Sequence, residues 1–315
     1  MRYIISFLMA SAALPAMAEA PRVVTDLPPV HALVAEVMGE IGTPLLLLDQ
    51  GADAHSFQLR PSQARALAEA DLLVWIGPEM TPWLERALDG LAAQTPRLDL
   101  LLQEGTQRRP YTATEDHDDQ NHDDHGLEDH EAEAGHDDHD DHGHDDHDHG
   151  DIDPHAWLDP GNAALWLRRI GEENAATYTA NAARAIEEVT ALDAEVSARL
   201  TPLRDRPFVV FHDAYGYFTD HYGLTGAKAL ALGDASAPGA ARLAALRDDI
   251  AGAGPICLFP ELQHDPRLLA QLAEGTEARI GTALDPEGSG IAPGKGAYTA
   301  LLRGLTDALT DCLGE

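Results

Sequence analysis

Residues 44–77 read PLLLLDQGADAHSFQLRPSQARALAEADLLVWIG. Two compact apolar runs, PLLLLD and DLLVWIG, flank a segment rich in Ala and Leu. Short runs without polar alternation suit strands buried on both faces. Pro61 stands where the first turn of a helix tolerates proline, with good helix formers behind it. Strand, helix and strand at this spacing predict a parallel sheet covered by helices.

The same alternation extends in both directions. Upstream, RVVTDLPPVHALVAEVMG predicts a short strand and an amphipathic helix; downstream, TPWLERALDGL predicts a helix and LDLL (98–101) closes the series. Order resumes at DIDPHAWLDP, followed by a helix from Asn162 to about Tyr178 and a longer one over 181–205. In that longer helix Ile186, Val189, Leu192, Val196 and Leu200 recur every three or four residues. A second α/β series follows: RPFVVFHD as a strand, a helix 214–222, TGAKALAL as strand or loop, a helix 238–252, PICLFPE as a strand, a helix 266–275, ARIGTALD as a strand and a last helix 296–312. The expected fold is α/β, with two lobes that each carry a parallel-type sheet flanked by helices. The lobes span 19–178 and 206–315 and are joined by one long helix, 179–205.

The first eighteen residues, MRYIISFLMASAALPAMA, carry a positive start, an apolar run and small residues ending at Ala18. This reads as a secretory signal peptide, too short in its apolar part to span a bilayer. An exported chain with two cysteines, Cys257 and Cys312, is expected to join them in a disulfide.

The chain has a formal net charge of −33, and residues 115–149 contribute seventeen Asp and Glu with no Lys or Arg, which leaves −16 elsewhere. No basic surface is visible, so nucleic acid is not an expected partner. The acidic stretch, 112–150 in its full extent, also holds ten of the sixteen histidines: His117, His122, His125, His130, His136, His139, His142, His144, His147 and His149. Its low complexity predicts a segment disordered in the absence of metal. It has many ligands and no fixed geometry, so weak, exchangeable metal sites are expected there, since each ion bound must also order chain.

Six histidines lie elsewhere: His31, His55, His155, His212, His221 and His264. His55 follows the strand PLLLLD, His155 sits in the tight loop before a helix, and His212 ends the strand PFVVF. Asp285 ends the strand RIGTAL. In open parallel sheets, ligands bind beyond the carboxyl ends of the strands. A cleft between the lobes would gather these four, and three imidazoles with a carboxylate suit Zn2+. Each also has a plain structural reading, a surface or hydrogen-bonding histidine and, for Asp285, a turn residue before Pro286. His31, at a helix start, reads as structural; His221 and His264 read as surface.

The blocks GADAHSFQLRPSQARALAEADLLVWIGPEMTPWLERAL, DPHAWLDP, FVVFHDAYGYF and ALDPEG follow one another as they do in the metal-binding proteins of ABC importers. The chain resembles the periplasmic zinc-binding proteins of the ZnuA type over essentially its whole mature length. That resemblance implies two lobes, a rigid connecting helix, an acidic His-rich insertion, two paired cysteines near the C-terminus, and metal between the lobes. It carries the ligand roles onto His55, His155 and His212, and a carboxylate position onto Asp285. Glu261, in LFPELQ, matches an acidic position near the cleft. Some zinc-binding relatives place Glu just before the first ligand histidine; this chain has Ala54 there, which leaves Asp285 or water for the fourth position. Manganese-type relatives tend to carry a carboxylate where this chain has His212, and nitrogen in place of oxygen shifts preference toward zinc.

The resemblance implies a periplasmic, monomeric protein that captures Zn2+ as cargo and hands it to a membrane permease, without catalysis. The alternatives are a periplasmic zinc buffer acting through the His-rich segment, a manganese-type importer protein, and a zinc hydrolase. The last is disfavoured because no H-E-x-x-H helix is present.

Overall fold

The computed structural model describes residues 20–111, 152–172, 176–225, 227–231 and 239–314. The expected signal peptide and the His-rich stretch lie outside the described residues.

The first lobe runs β1 (Val23–Thr25), α1 (Pro28–Met38), β2 (Leu45–Leu46), α2 (Pro61–Ala68), β3 (Leu72–Trp75), α3 (Pro82–Leu91) and β4 (Arg97–Asp99). Its four strands pair in parallel in the order β2-β1-β3-β4. The second lobe runs β5 (Phe208–His212), α6 (Gly216–Tyr222), β6 (Lys228–Ala231), α7 (Ala240–Ala253), β7 (Cys257–Phe259), α8 (Arg267–Ala273), β8 (Arg279–Ile280) and α9 (Ala297–Leu313). Its sheet repeats the plan in the order β6-β5-β7-β8, again parallel. The central strands β1, β3, β5 and β7 are apolar and largely buried, because helices cover both faces of each sheet.

Two elements differ from the sequence expectation. The run PLLLLD does not form a central strand: β2 is two residues long at the sheet edge, and Leu45 is 40% exposed. The burial belongs instead to Leu47 and Leu48, just past the strand. The helix expected over 162–178 ends earlier: α4 covers Pro160–Glu172, and α5 starts at Ala176 and runs to Leu200. The two helices pack closely, and Gly171 permits this; a Cβ there would lie 2.6 Å from the Cβ of Ala182.

α5, about 37 Å long at 1.5 Å per residue, is the spine between the lobes. Its Ala182, Ala185, Val189, Leu192, Val196 and Leu200 are buried, and it packs against α1, α4 and α9. The expected disulfide is present: Cys257 on β7 is bonded to Cys312 on α9, with Cα atoms 6.2 Å apart. Further ties cross between the lobes. Trp157, fully buried, donates its indole N–H to the Pro286 carbonyl (2.8 Å), and the Tyr298 hydroxyl donates to the Trp157 carbonyl (2.8 Å). No described helix is long and apolar enough to cross a membrane.

Candidate metal centre

The parallel strands of both sheets run toward the cleft, so the loops beyond their carboxyl ends face it. His55 lies in the loop after β2, His155 just before the short turn Ala156–Leu158 that leads into α4, and His212 is the last residue of β5. These three are brought together: one ligand atom from each lies within 4.8 Å of the others. The ring centroids of His55 and His155 are 5.8 Å apart, and those of His155 and His212 5.3 Å. His155 and His212 are buried.

Two of the rings are held by buried carboxylates. Asp153 accepts from both the backbone amide (3.0 Å) and Nδ1 (2.9 Å) of His155. Glu261 Oε2 lies 2.5 Å from Nδ1 of His212, and Oε1 accepts the Tyr215 hydroxyl at 3.0 Å. With Nδ1 engaged, Nε2 is left as the ligating atom, and the carboxylate both orients the ring and raises its basicity. Asp53 plays a local part, accepting the His55 backbone amide (2.9 Å) and the Ser56 hydroxyl (2.8 Å).

The block FHDAYGYF is legible residue by residue. Tyr215 reaches Glu261, and the Tyr217 hydroxyl donates to the Asp153 carbonyl at 2.9 Å. Gly216 makes room for the Arg109 guanidinium, because a Cβ there would lie 1.2 Å from Nη1. Arg109 in turn bonds Asp153 Oδ2 at 3.1 Å. One motif of the second lobe thus braces the supports of histidines from both lobes.

Asp285 is not within the trihistidine group. Its Oδ1 accepts the Ser289 amide (3.0 Å) and its Oδ2 the Gly290 amide (2.8 Å). Nearby Glu287, which sequence reasoning passed over, is 5% exposed, and its Oε2 is buried without a hydrogen-bond partner. Burial pushes its pKa up to about 7, while the His155 and His212 rings pull it down. An acid beside Gly288 in a loop gives no hint of burial in the sequence.

The remaining histidines take three different places. His31 is buried, with Nε2 3.1 Å from the Pro44 carbonyl, as a structural role requires. His221 is not a plain surface residue: its nitrogens lie 2.9 Å from Asp159 and 2.9 Å from Asp193. His264 is not one either: His212, Glu261 and His264 form a second cluster with ligand atoms within 4.8 Å of one another. The ten histidines between His117 and His149 lie outside the described residues.

Three imidazoles converging between two lobes, each lobe contributing, define a cleft-type binding protein for a borderline divalent cation. The chain matches the family described as "Zinc-uptake complex component A periplasmic" (ZnuA) over residues 23–312, and it belongs to that family. It is 59% identical to the high-affinity zinc uptake system protein ZnuA of Paracoccus denitrificans (strain Pd 1222), over 97% of this chain and 96% of that one. It is 37% identical to the protein of the same name from Brucella suis biovar 1 (strain 1330), over 93% and 92% of the two chains. Among solved structures, a crystal structure of ZnuA superposes with a TM-score of 0.68 at 22% identity, covering 93% of this chain and 99% of that one. The periplasmic zinc-binding protein TroA from Treponema pallidum superposes at 0.71 with 19% identity, over 93% and 99%.

Proposed function

We propose that the chain captures Zn2+ in the periplasm and delivers it to the permease of an ABC importer for high-affinity zinc uptake. The observation that carries this reading is the trihistidine cluster between the lobes, with two of its rings held by buried carboxylates. Histidine nitrogens favour zinc over manganese, which sits lower in intrinsic affinity for such donors. The three histidines belong to one chain, so the site needs no second copy.

In this reading His55, His155 and His212 hold the ion, and Asp285 or a water supplies the fourth ligand. Asp285 stands outside the trihistidine group and holds the amides of Ser289 and Gly290, so Asp285→Ala costs less affinity than His212→Ala. Zn2+ competes with protons for the imidazole nitrogens, so binding weakens as pH falls. Because α5 packs against α1, α4 and α9, release comes from movement of a ligand loop or one lobe rather than from wide opening. Small-angle scattering of the metal-free and zinc-loaded protein is expected to show nearly equal radii.

The deciding experiment is calorimetric zinc titration of the mature protein and of a His55→Ala, His212→Ala double variant at neutral pH. One tight site in the wild type that vanishes in the variant, with weak multi-site binding left, is the expected result. Identical curves would transfer the function to the His-rich stretch and make the protein a zinc buffer. A competition titration with Mn2+ tests the manganese alternative.

A further inference from the structure

The cleft holds a second group of metal-ligating side chains that shares His212 with the first. Glu261 Oε2 faces two imidazoles, Nδ1 of His212 at 2.5 Å and Nε2 of His264 at 3.6 Å. Oε1 of the same carboxylate is occupied by the Tyr215 hydroxyl, so Oε2 is the oxygen turned toward the two rings. The His264 ring stacks on Phe211, with centroids 4.1 Å apart and planes 11° from parallel, which fixes the plane of the ring. The side chains grade from wet to dry: His264 is 32% exposed, His212 5% and Glu261 1%.

We infer that His264, Glu261 and His212 form a second, overlapping Zn2+ position at the wetter edge of the cleft, through which the ion enters and leaves the trihistidine site. This rests on the zinc-capture reading given above. Two imidazoles and a carboxylate are a competent partial shell for zinc, with water completing it. An ion there takes the place of the proton between His212 Nδ1 and Glu261 Oε2, and the neutral ring keeps that proton on Nε2. When the ion moves on to Nε2 of the same ring, that proton returns to Nδ1 and its bond to Glu261 Oε2. The buried position regains its carboxylate support only after the outer one empties. The two positions therefore alternate, with His212 serving one through Nδ1 and the other through Nε2.

The test uses the full mature chain with Zn2+ itself. In His264→Phe, which keeps a ring on Phe211, stopped-flow zinc uptake and zinc loss to a chelator are expected to slow by a common factor of about tenfold. Because a way station affects the path and not the end state, the dissociation constant should move by less than about threefold. Unchanged rates would overturn the inference, and so would an unequal slowing that appears wholly as lost affinity. Separately, crystals of a His55→Ala, His155→Ala variant grown with zinc should show an anomalous zinc peak between Glu261 and His264. Its absence in well-ordered crystals would overturn the outer position. Failure of the wild type to bind one ion tightly would instead sink the zinc-capture reading.

Discussion

Oε2 of Glu261 lies 2.5 Å from Nδ1 of His212, in a pair that is almost wholly buried. A neutral amide cannot supply the same charge to the ring. Glu261→Gln is therefore expected to weaken zinc binding by roughly 10–100-fold while leaving the fold intact, as loss of such a ligand support does elsewhere. Zinc calorimetry paired with circular dichroism of the metal-free protein checks both halves of the statement.

Removing residues 115–149 leaves His55, His155, His212 and their partners Asp153 and Glu261 in place. The tight site should persist with its affinity changed by less than about threefold, and the weak sites should disappear, as expected for groups that share no partners. Titration stoichiometry is the readout. Loss of the tight site in this variant would place function in the deleted stretch.

His221 joins three parts of the molecule: it sits on α6 and pairs with Asp159 ahead of α4 and with Asp193 on α5. The hydrogen bond to Asp159, helped by Asp193 and opposed by burial, raises its pKa from 6.5 to about 9. A raised base stabilises the fold fully below its ordinary pKa and loses that contribution as pH climbs through the raised one. Thermal stability should therefore fall between about pH 6.5 and 9. His221→Ala should lack that component and be less stable at pH 6 by about 1–2 kcal/mol. A pH series of melting curves for both proteins decides it.

The Cys257–Cys312 bridge closes a long loop, 55 residues in sequence, and ties α9 to the second sheet. Replacing both cysteines by alanine should cost about 2–4 kcal/mol in denaturant unfolding. Cys257 opens β7 whereas His55, His155 and His212 gather beyond the opposite ends of the strands, so zinc affinity should hold. Parallel unfolding and titration curves separate the two effects.

Much of this was legible in the sequence because its signals are local. DLLVWIG reads as a buried strand from its own residues, and β3 is found there; the register of apolar residues in 181–205 likewise marks the buried face of α5. His55, His155 and His212 each stand at a strand end or helix entry, and that placement carried them to the cleft. What stayed hidden depends on long-range contact. Nothing near His264 announces that Phe211 lies under it, and nothing near His221 announces Asp159 and Asp193. PLLLLD misled because apolarity alone does not distinguish a central strand from an edge strand followed by a buried turn. Burial of Glu287 is equally a property of the assembled lobes.

The strand-like bridge between Pro110 and Ile152, reinforced by the Asp153 amide on the Arg109 carbonyl at 3.0 Å, brings both ends of the intervening stretch side by side. A sequence hung from a single rung imposes little on its frame: doubling its length adds only about 0.6 kcal/mol of closure entropy. The rung thus acts as a socket, into which foreign sequence can be spliced. Because Asp153, next in line, supports His155, a reporter domain inserted there would be wired within two residues of the carboxylate that holds that ring.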